Sequence, residues 1–169
     1  MDAYVELALR WLHILAAITA VGGTIFSRFA LLPAASALPE EQRRSLLDGV
    51  RKHWAKFVHA SIAFLLISGL YNYLLVVKAK YDVAKPYDML FGIKFLLAMA
   101  LFAIASMLMG RSPAAQKLRQ NARLWLNVNV VLALAIVGIS GYMRSIPHVP
   151  KAAAQAPADS PTQPAALTK

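Results

Sequence analysis

Four long apolar windows dominate this sequence. A helix that crosses a bilayer needs about 20 mostly apolar residues, and windows of that kind lie at residues 5–32, 54–77, 87–110 and 124–146. Hydrophobic residues make up 59% of the 169 positions, and the mean hydropathy of +0.52 is too high for an ordinary soluble domain. We therefore expect an all-α fold: an integral membrane four-helix bundle with up-down-up-down connections, formed by residues 1–147.

The two ends of the chain have different compositions. The first six residues are acidic rather than basic, and the first window is too long for a signal peptide, so a retained first span is predicted. Residues 148–169 are rich in Ala and Pro and cannot form a core, which predicts a disordered tail. The chain contains no cysteine, so disulfides and thiolate metal sites are excluded.

Lysine and arginine are distributed unequally between the two sides of such a bundle. The connections after the first and third spans carry Arg28, Arg43, Arg44, Arg51, Lys52, Lys56, Arg111, Lys117, Arg119 and Arg123. The opposite side carries Arg10, Lys78, Lys80, Lys85, Arg144, Lys151 and Lys169. Because basic loops stay in the cytoplasm, the bias predicts a protein of a bacterial-type inner membrane with both termini outside, in the periplasm.

The net charge of +10 comes from residues at span ends and in short loops. Anionic lipid headgroups are the simplest partner for charges placed there, and no nucleic-acid partner is expected. Residues 39–51 follow an amphipathic pattern with Pro39 in the first turn. This pattern predicts a short helix lying on the cytoplasmic face of the membrane.

The first span has one polar and small face. Steps of three and four residues place on that face Glu6, Arg10, His13, Ala17, Ala20, Thr24 and Arg28. The opposite face is bulkier and suits contact with lipid. His13 is therefore expected to point into the bundle.

Depth in the membrane divides the ionisable residues into layers. With a rise of about 1.5 Å per residue, His13 lies about 7 Å and Lys94 about 6 Å above the centres of their spans, and His59 about 10 Å below. His13 and Lys94 thus share a layer in the outer half. A lysine inside a span is functional by default, although a long stem can also carry the ammonium to the headgroups.

Two metal chemistries fit these positions. Imidazole and thioether ligands suit Cu(I), which makes His13, Met143, His148 and His59 candidate copper ligands, with a periplasmic copper donor as partner, although methionine is also a common filler of apolar helices. Haem b is the alternative. His13 and His59 differ in depth by about 17 Å and cannot ligate one haem, so its sixth ligand would be Lys94 or absent. No nucleophile, base and acid set is present, and no catalytic residue is predicted.

Several short motifs resemble the membrane core of copper resistance D-type proteins and the four-helix unit of HemJ-type protoporphyrinogen oxidases. They are Leu12-His13 with Gly23, then Arg28, Ser68-Gly69-Leu70, Ile93-Lys94 and Pro147. The resemblance implies that His13, Lys94 and Arg28 bind a cofactor, and that the histidine serves haem binding in HemJ-type proteins. The chain departs from the HemJ pattern at Ile104-Ala105 and at Leu32-Pro33, where those proteins carry Tyr-His and a histidine.

Three functions from different classes follow from these residues. The first is a membrane protein that handles copper or a related small ligand through the His13–Lys94 layer. The second is a b-haem redox protein of the HemJ type that acts on a porphyrin or a quinone. The third is a membrane scaffold without chemistry of its own.

Overall fold

The computed structural model of this protein describes residues 3–83 and 85–150. Helix α1 consists of Ala3–Phe26, a π-helical segment Ser27–Leu31 and a last α-helical turn Leu32–Ser36. Helix α2 consists of Glu40–Tyr71, a π-helical segment Asn72–Val77 and a last turn Lys78–Lys80. The remaining helices are α3 (Lys85–Met109), α4 (Pro113–Gln120) and α5 (Ala122–Ser145).

The prediction of an all-α fold is confirmed. The strands in the described part of the chain are two three-residue segments, β1 (Tyr81–Val83) and β2 (His148–Pro150), whose backbones pair antiparallel. This pair joins the connection between α2 and α3 to the segment that follows α5. The predicted disordered tail, residues 148–169, lies outside the described residues from 151 onward.

Four helices, α1, α2, α3 and α5, are long and apolar enough to cross a membrane. Their outward faces carry large apolar side chains, and Ile18, Ile67, Leu96 and Val131, one on each helix, are between 62% and 69% exposed. Helices that are apolar on their outer faces as well as their inner faces are typical of membrane spans. Composition and surface therefore agree on a membrane protein.

Contacts between the long helices show that neighbours run antiparallel. Along α1 and α2, Glu6 accepts a hydrogen bond from Lys80, His13 meets Ser68, and Gly23 lies against Trp54. Helices α3 and α5 meet through two apolar clusters. One cluster has Val77, Tyr87 and Met143 as its buried members, and the other has Leu101, Phe102 and Ala133.

The helix ends follow local sequence signals. Ser112 accepts a hydrogen bond from the backbone N–H of Ala115, at 3.2 Å, and Pro113 occupies the first turn of α4. Helix α3 ends before Gly110, whose carbonyl accepts a hydrogen bond from the Arg119 guanidinium at 2.5 Å. Because this bond satisfies a free carbonyl at the helix end, it fixes α4 against the end of α3.

Two helix boundaries differ from the sequence prediction. Helix α2 begins at Glu40, so residues 39–51 form its first turns and not a separate surface helix. No proline follows Pro39 before the apolar window, and the lone Gly49 does not interrupt a helix. Helix α1 continues past Leu32 to Ser36, because the π-helical segment precedes Pro33 and places this proline in a new first turn.

Candidate functional site

His13 lies on the side of α1 that faces α2, and its side chain is partly buried. Its Nδ1 is 2.7 Å from the hydroxyl oxygen of Ser68, which is itself 4% exposed. A Cβ at the neighbouring Gly69 would stand 3.7 Å from His13 Cε1, an ordinary van der Waals distance. The Ser68-Gly69 pair on α2 thus lies directly beside the imidazole.

The hydrogen bonds of Ser68 determine which nitrogen of His13 carries the proton. A hydroxyl has one proton, and Ser68 donates it to the carbonyl of Phe64 one turn earlier. Ser68 must therefore accept from His13, and the donor is Nδ1–H. In the neutral ring, Nε2 then carries a free lone pair that can bind a ligand.

Lys94 lies on α3 at the height of Ser68. One turn before it, the ring of Phe91 stacks on Tyr73 of α2, with centroids 3.6 Å apart. Two turns after it, Leu101 belongs to the cluster that Leu65 and Leu66 of α2 pack against. Lys94 is partly buried. These two contacts place Lys94 on α3 between levels that also enclose Ser68 on α2.

Arg28 lies apart from this layer. It belongs to the π-helical segment of α1, fifteen residues beyond His13, which corresponds to about 22 Å along the helix. Its Nε donates to the amide oxygen of Asn127 on α5, at 2.6 Å, and its guanidinium lies 5.1 Å from the Phe29 ring centroid. Arg28 joins α1 to α5 at the opposite end of the bundle from Glu6 and Lys80.

The other candidate copper ligands are not brought to His13. His59 is exposed, and its Nδ1 bonds the carbonyl of Ala55 at 2.7 Å. Nine residues separate it from Ser68 on α2, or about 13 Å along the axis. Met143 is 5% exposed in the cluster with Val77, which lies nine residues beyond Ser68 in the other direction. Among the described residues, no three His, Asp or Glu side chains form a metal-binding group.

His148 is described by its backbone alone. It pairs with Val83 in the short strands that close the end of the bundle nearer to His13. Its role as a copper ligand stays a prediction.

A polar network at the same end was missed by the sequence reasoning. The carboxylate of Asp88, in the first turn of α3, accepts a hydrogen bond from Tyr73 at 2.9 Å and one from Lys78 at 2.6 Å. A separate hydrogen bond at the same end, from Lys80 to Glu6, joins α2 to α1. The sequence signal that could have predicted this network is the presence of opposite charges at the adjoining ends of α2 and α3. The network holds α1, α2 and α3 together above the His13 layer.

Ser68 itself was also missed as a functional residue. The Ser68-Gly69 pair indicates close helix packing when the sequence alone is considered. The signal that could have marked Ser68 as functional is its hydroxyl, at the same height as His13. Comparison with protein-family models, with curated proteins and with solved structures finds no match to this chain.

Proposed function

We propose that this chain is a multi-pass protein of a bacterial-type inner membrane in which α1, α2, α3 and α5 form an up-down-up-down bundle. The apolar outer faces of these helices support insertion. The bias of Lys and Arg supports periplasmic termini and basic cytoplasmic connections that meet anionic headgroups. Helix α2 has 41 residues and is about 60 Å long, twice the thickness of the hydrocarbon core. Its first turns therefore extend into the cytoplasm.

The protein binds copper or a related small ligand at His13 Nε2, in the layer that it shares with Lys94. The observation that carries this proposal is the chain from His13 Nδ1–H through Ser68 to the carbonyl of Phe64. A second hydrogen bond of this kind orients metal-bound histidines and sets their tautomer.

The donor set limits how copper is held. His13 offers one imidazole nitrogen, and Lys94 offers an amine only after it loses its proton. Met143 and His59 are each about 13 Å away along the bundle. A copper ion at His13 therefore needs further donors from outside this set. This suits transient binding during transfer from a periplasmic donor better than permanent storage.

Haem b is the second candidate. Because the candidate copper ligands lie far apart along the bundle, their separation favours haem over a path in which copper passes from one of these residues to the next. His13 would bind the iron through Nε2, and Lys94 would supply a second ligand or pair with a propionate. When bound, a b-haem supplies one-electron redox chemistry. The protein residues orient the ring nitrogen and keep a positive charge beside it.

The test measures copper and haem in protein purified from cells grown with ample supplies of both. We expect wild type to retain one of them and His13→Ala to lose it. His59→Ala is the matched control, since His59 is an exposed histidine outside the layer, and it should bind as wild type does. If His13→Ala retains the same copper content and the same Soret band as wild type, the proposal is wrong and the scaffold function remains.

Lys94→Met distinguishes the two ligands. The substitution removes a charge that repels a cation and adds a thioether, so the affinity for Cu(I), measured by competition with a chromophoric chelator, should rise. Haem retention should fall, because a ligand or a propionate partner is lost. If neither the affinity for Cu(I) nor the haem retention changes, Lys94 is not part of the site.

A further inference from the structure

Arg28 and Arg123 flank Asn127 at the end of the bundle opposite to Glu6 and Lys80. Arg28, in the π-helical segment of α1, donates from Nε to the amide oxygen of Asn127 on α5, at 2.6 Å. Arg123 lies in the first turn of α5, four residues before Asn127, and therefore on the same face of that helix. The hydrogen bond thus brings the guanidinium of Arg28 to the helix face that carries Arg123.

Neither arginine has a carboxylate partner within the part of the chain that the structure describes. Only Nε of Arg28 is engaged in a hydrogen bond, so both of its Nη groups stay available as donors. Glu40 and Asp48, two carboxylates at this end, are paired with arginines of α2 itself. Glu41 lies at the level where α1 ends, about 12 Å along that helix from Arg28. Two guanidinium groups without a counter-charge repel each other, and an anion bound to both removes that repulsion.

The depth of these two arginines in the membrane indicates which anion they meet. Arg28 lies about 22 Å from His13 along α1, which places it about 15 Å below the centre of the span. That depth is the boundary of a hydrocarbon core about 30 Å thick. Arg123 lies one turn nearer to the end of the bundle than Asn127 and so belongs to the headgroup layer. The anions of that layer are the phosphates of the lipids.

The surroundings of Arg28 combine charge with apolar surface. Its guanidinium lies 5.1 Å from the centroid of the Phe29 ring, and this ring is 60% exposed. Arg123 and Asn127 are exposed as well, so a ligand can approach from outside the bundle. A free phosphate would leave the apolar surface of Phe29 unused, whereas a phospholipid brings an acyl chain that covers it. A lipid phosphate therefore fits both features.

We propose that Arg28, which is held by Asn127, and Arg123 together bind the phosphate of one anionic phospholipid between α1 and α5. Arginine presents parallel N–H donors that match the oxygens of a phosphate. The two positive charges favour phosphatidylglycerol, whose headgroup is anionic, over zwitterionic phosphatidylcholine. The proposal rests on insertion of the helices in a bilayer and is independent of the ligand at His13. It differs from a general attraction between basic connections and headgroups, because it assigns one lipid to one pair of residues.

Native mass spectrometry of the full-length protein in detergent micelles tests this site, by titration with phosphatidylglycerol, phosphatidylcholine or inorganic phosphate. We expect one phosphatidylglycerol to bind wild type severalfold more tightly than phosphatidylcholine, and inorganic phosphate not to displace it. Displacement by inorganic phosphate would show a site for the free ion and would overturn the lipid. Release of wild-type protein from native membranes by alkaline carbonate would instead overturn the insertion on which the site depends.

Arg123→Ala should lower the affinity for phosphatidylglycerol about tenfold, the usual effect of losing a hydrogen bond to a charged group. Arg123→Lys keeps the charge but not the paired donors, so the affinity should still fall severalfold. Arg111→Ala is the matched control, because it removes one positive charge from an exposed position just after α3, and its affinity should equal that of wild type. Equal losses in Arg123→Ala and Arg111→Ala, or wild-type affinity in Arg123→Lys, would show diffuse attraction only and would overturn the proposal.

Discussion

Two polar positions inside the bundle differ in how their hydrogen bonds are completed. Towards the end of the bundle that holds Glu6 and Lys80, Nδ1 of His13 is bonded to the hydroxyl of Ser68. Towards the opposite end, the amide oxygen of Asn129 has no hydrogen-bond partner among the described residues. The hydrogen bond gives the imidazole of His13 a fixed direction. The unpaired oxygen of Asn129 instead costs free energy, because nothing replaces the hydration it lost on burial.

The contact between α1 and α2 differs in the same way at the two heights. Beside His13, a Cβ at Gly69 would have an ordinary contact distance of 3.7 Å. Ten residues further along α1, a Cβ at Gly23 would overlap the indole ring of Trp54, well inside the van der Waals contact distance. The helices are therefore pressed together at Trp54 and have some clearance at the histidine. Clearance beside His13 suits a position where a ligand must enter.

The largest expected effect comes from adding a methyl group at the tighter of these two α1–α2 contacts. Gly23→Ala forces the indole of Trp54 to move and should destabilise the protein by about 1–3 kcal/mol, as overpacking does. Gly69→Ala, in the same interface, should change stability by less than about 0.5 kcal/mol. Denaturant titration followed by far-UV circular dichroism measures both. Equal losses in the two variants would show that the clearance does not differ between the two heights.

The hydrogen bond that anchors His13 to the hydroxyl of Ser68 is tested by Ser68→Ala. The buried Nδ1–H loses its acceptor, so stability should fall by about 1–2 kcal/mol. Ligand affinity should fall about 10–100-fold, because the ring orientation is lost. Ser140→Ala is the control, since in the described part of the chain the Ser140 hydroxyl bonds only within its own helix, where it donates to the carbonyl of Ile136. A Ser68→Ala variant that binds copper or haem as wild type does would contradict the role of the anchor.

The parts of the site that follow from helix rise could be predicted from the sequence. The rise per residue is the same in every α-helix, so His13 and Lys94 come to one height as soon as the span centres are chosen. The same arithmetic separates His59 from them. Apolar windows of this length also determine the fold class, because only helices satisfy their own backbone hydrogen bonds within a single apolar segment.

The rotation of each helix about its axis could not be predicted. It decides that Ser68 and not Asn72 meets His13, and that Asn129 is buried while Asn127 reaches Arg28. Hydropathy is nearly uniform around these helices, so it carries little information about which face turns inward. The start of α2 at Glu40 was missed because the change from polar to apolar residues was taken for the boundary between two helices. No helix-breaking residue stands at that boundary, so one helix runs through it.

A smaller effect is expected when the unsatisfied amide of Asn129 is removed. Asn129→Leu replaces this amide by an apolar side chain of similar volume and removes the unpaired oxygen. Stability should rise by between zero and about 1 kcal/mol, since a buried polar group without a partner is costly. Asn127→Leu should instead destabilise, because the Arg28 guanidinium loses its acceptor. Thermal unfolding of the two variants side by side makes the comparison, and a large loss in Asn129→Leu would mean that the amide has a protein partner.

The smallest effect concerns the polar network above the His13 layer. Tyr73→Phe removes the hydrogen bond to Asp88 but keeps the ring that stacks on Phe91. Lys78 still bonds the carboxylate, so Asp88 is not left without a partner. We expect a loss of about 0.5 kcal/mol, the low end for a partly exposed hydrogen bond, and no change in Tyr142→Phe, whose side chain is 64% exposed. Hydrogen exchange at the backbone amides of α1 and α2 should rise near Glu6 and Lys80 and stay unchanged at Trp54. A rise at Trp54 as well would show that the two halves of the bundle open together, and that the regions around His13 and Asn129 are not independent.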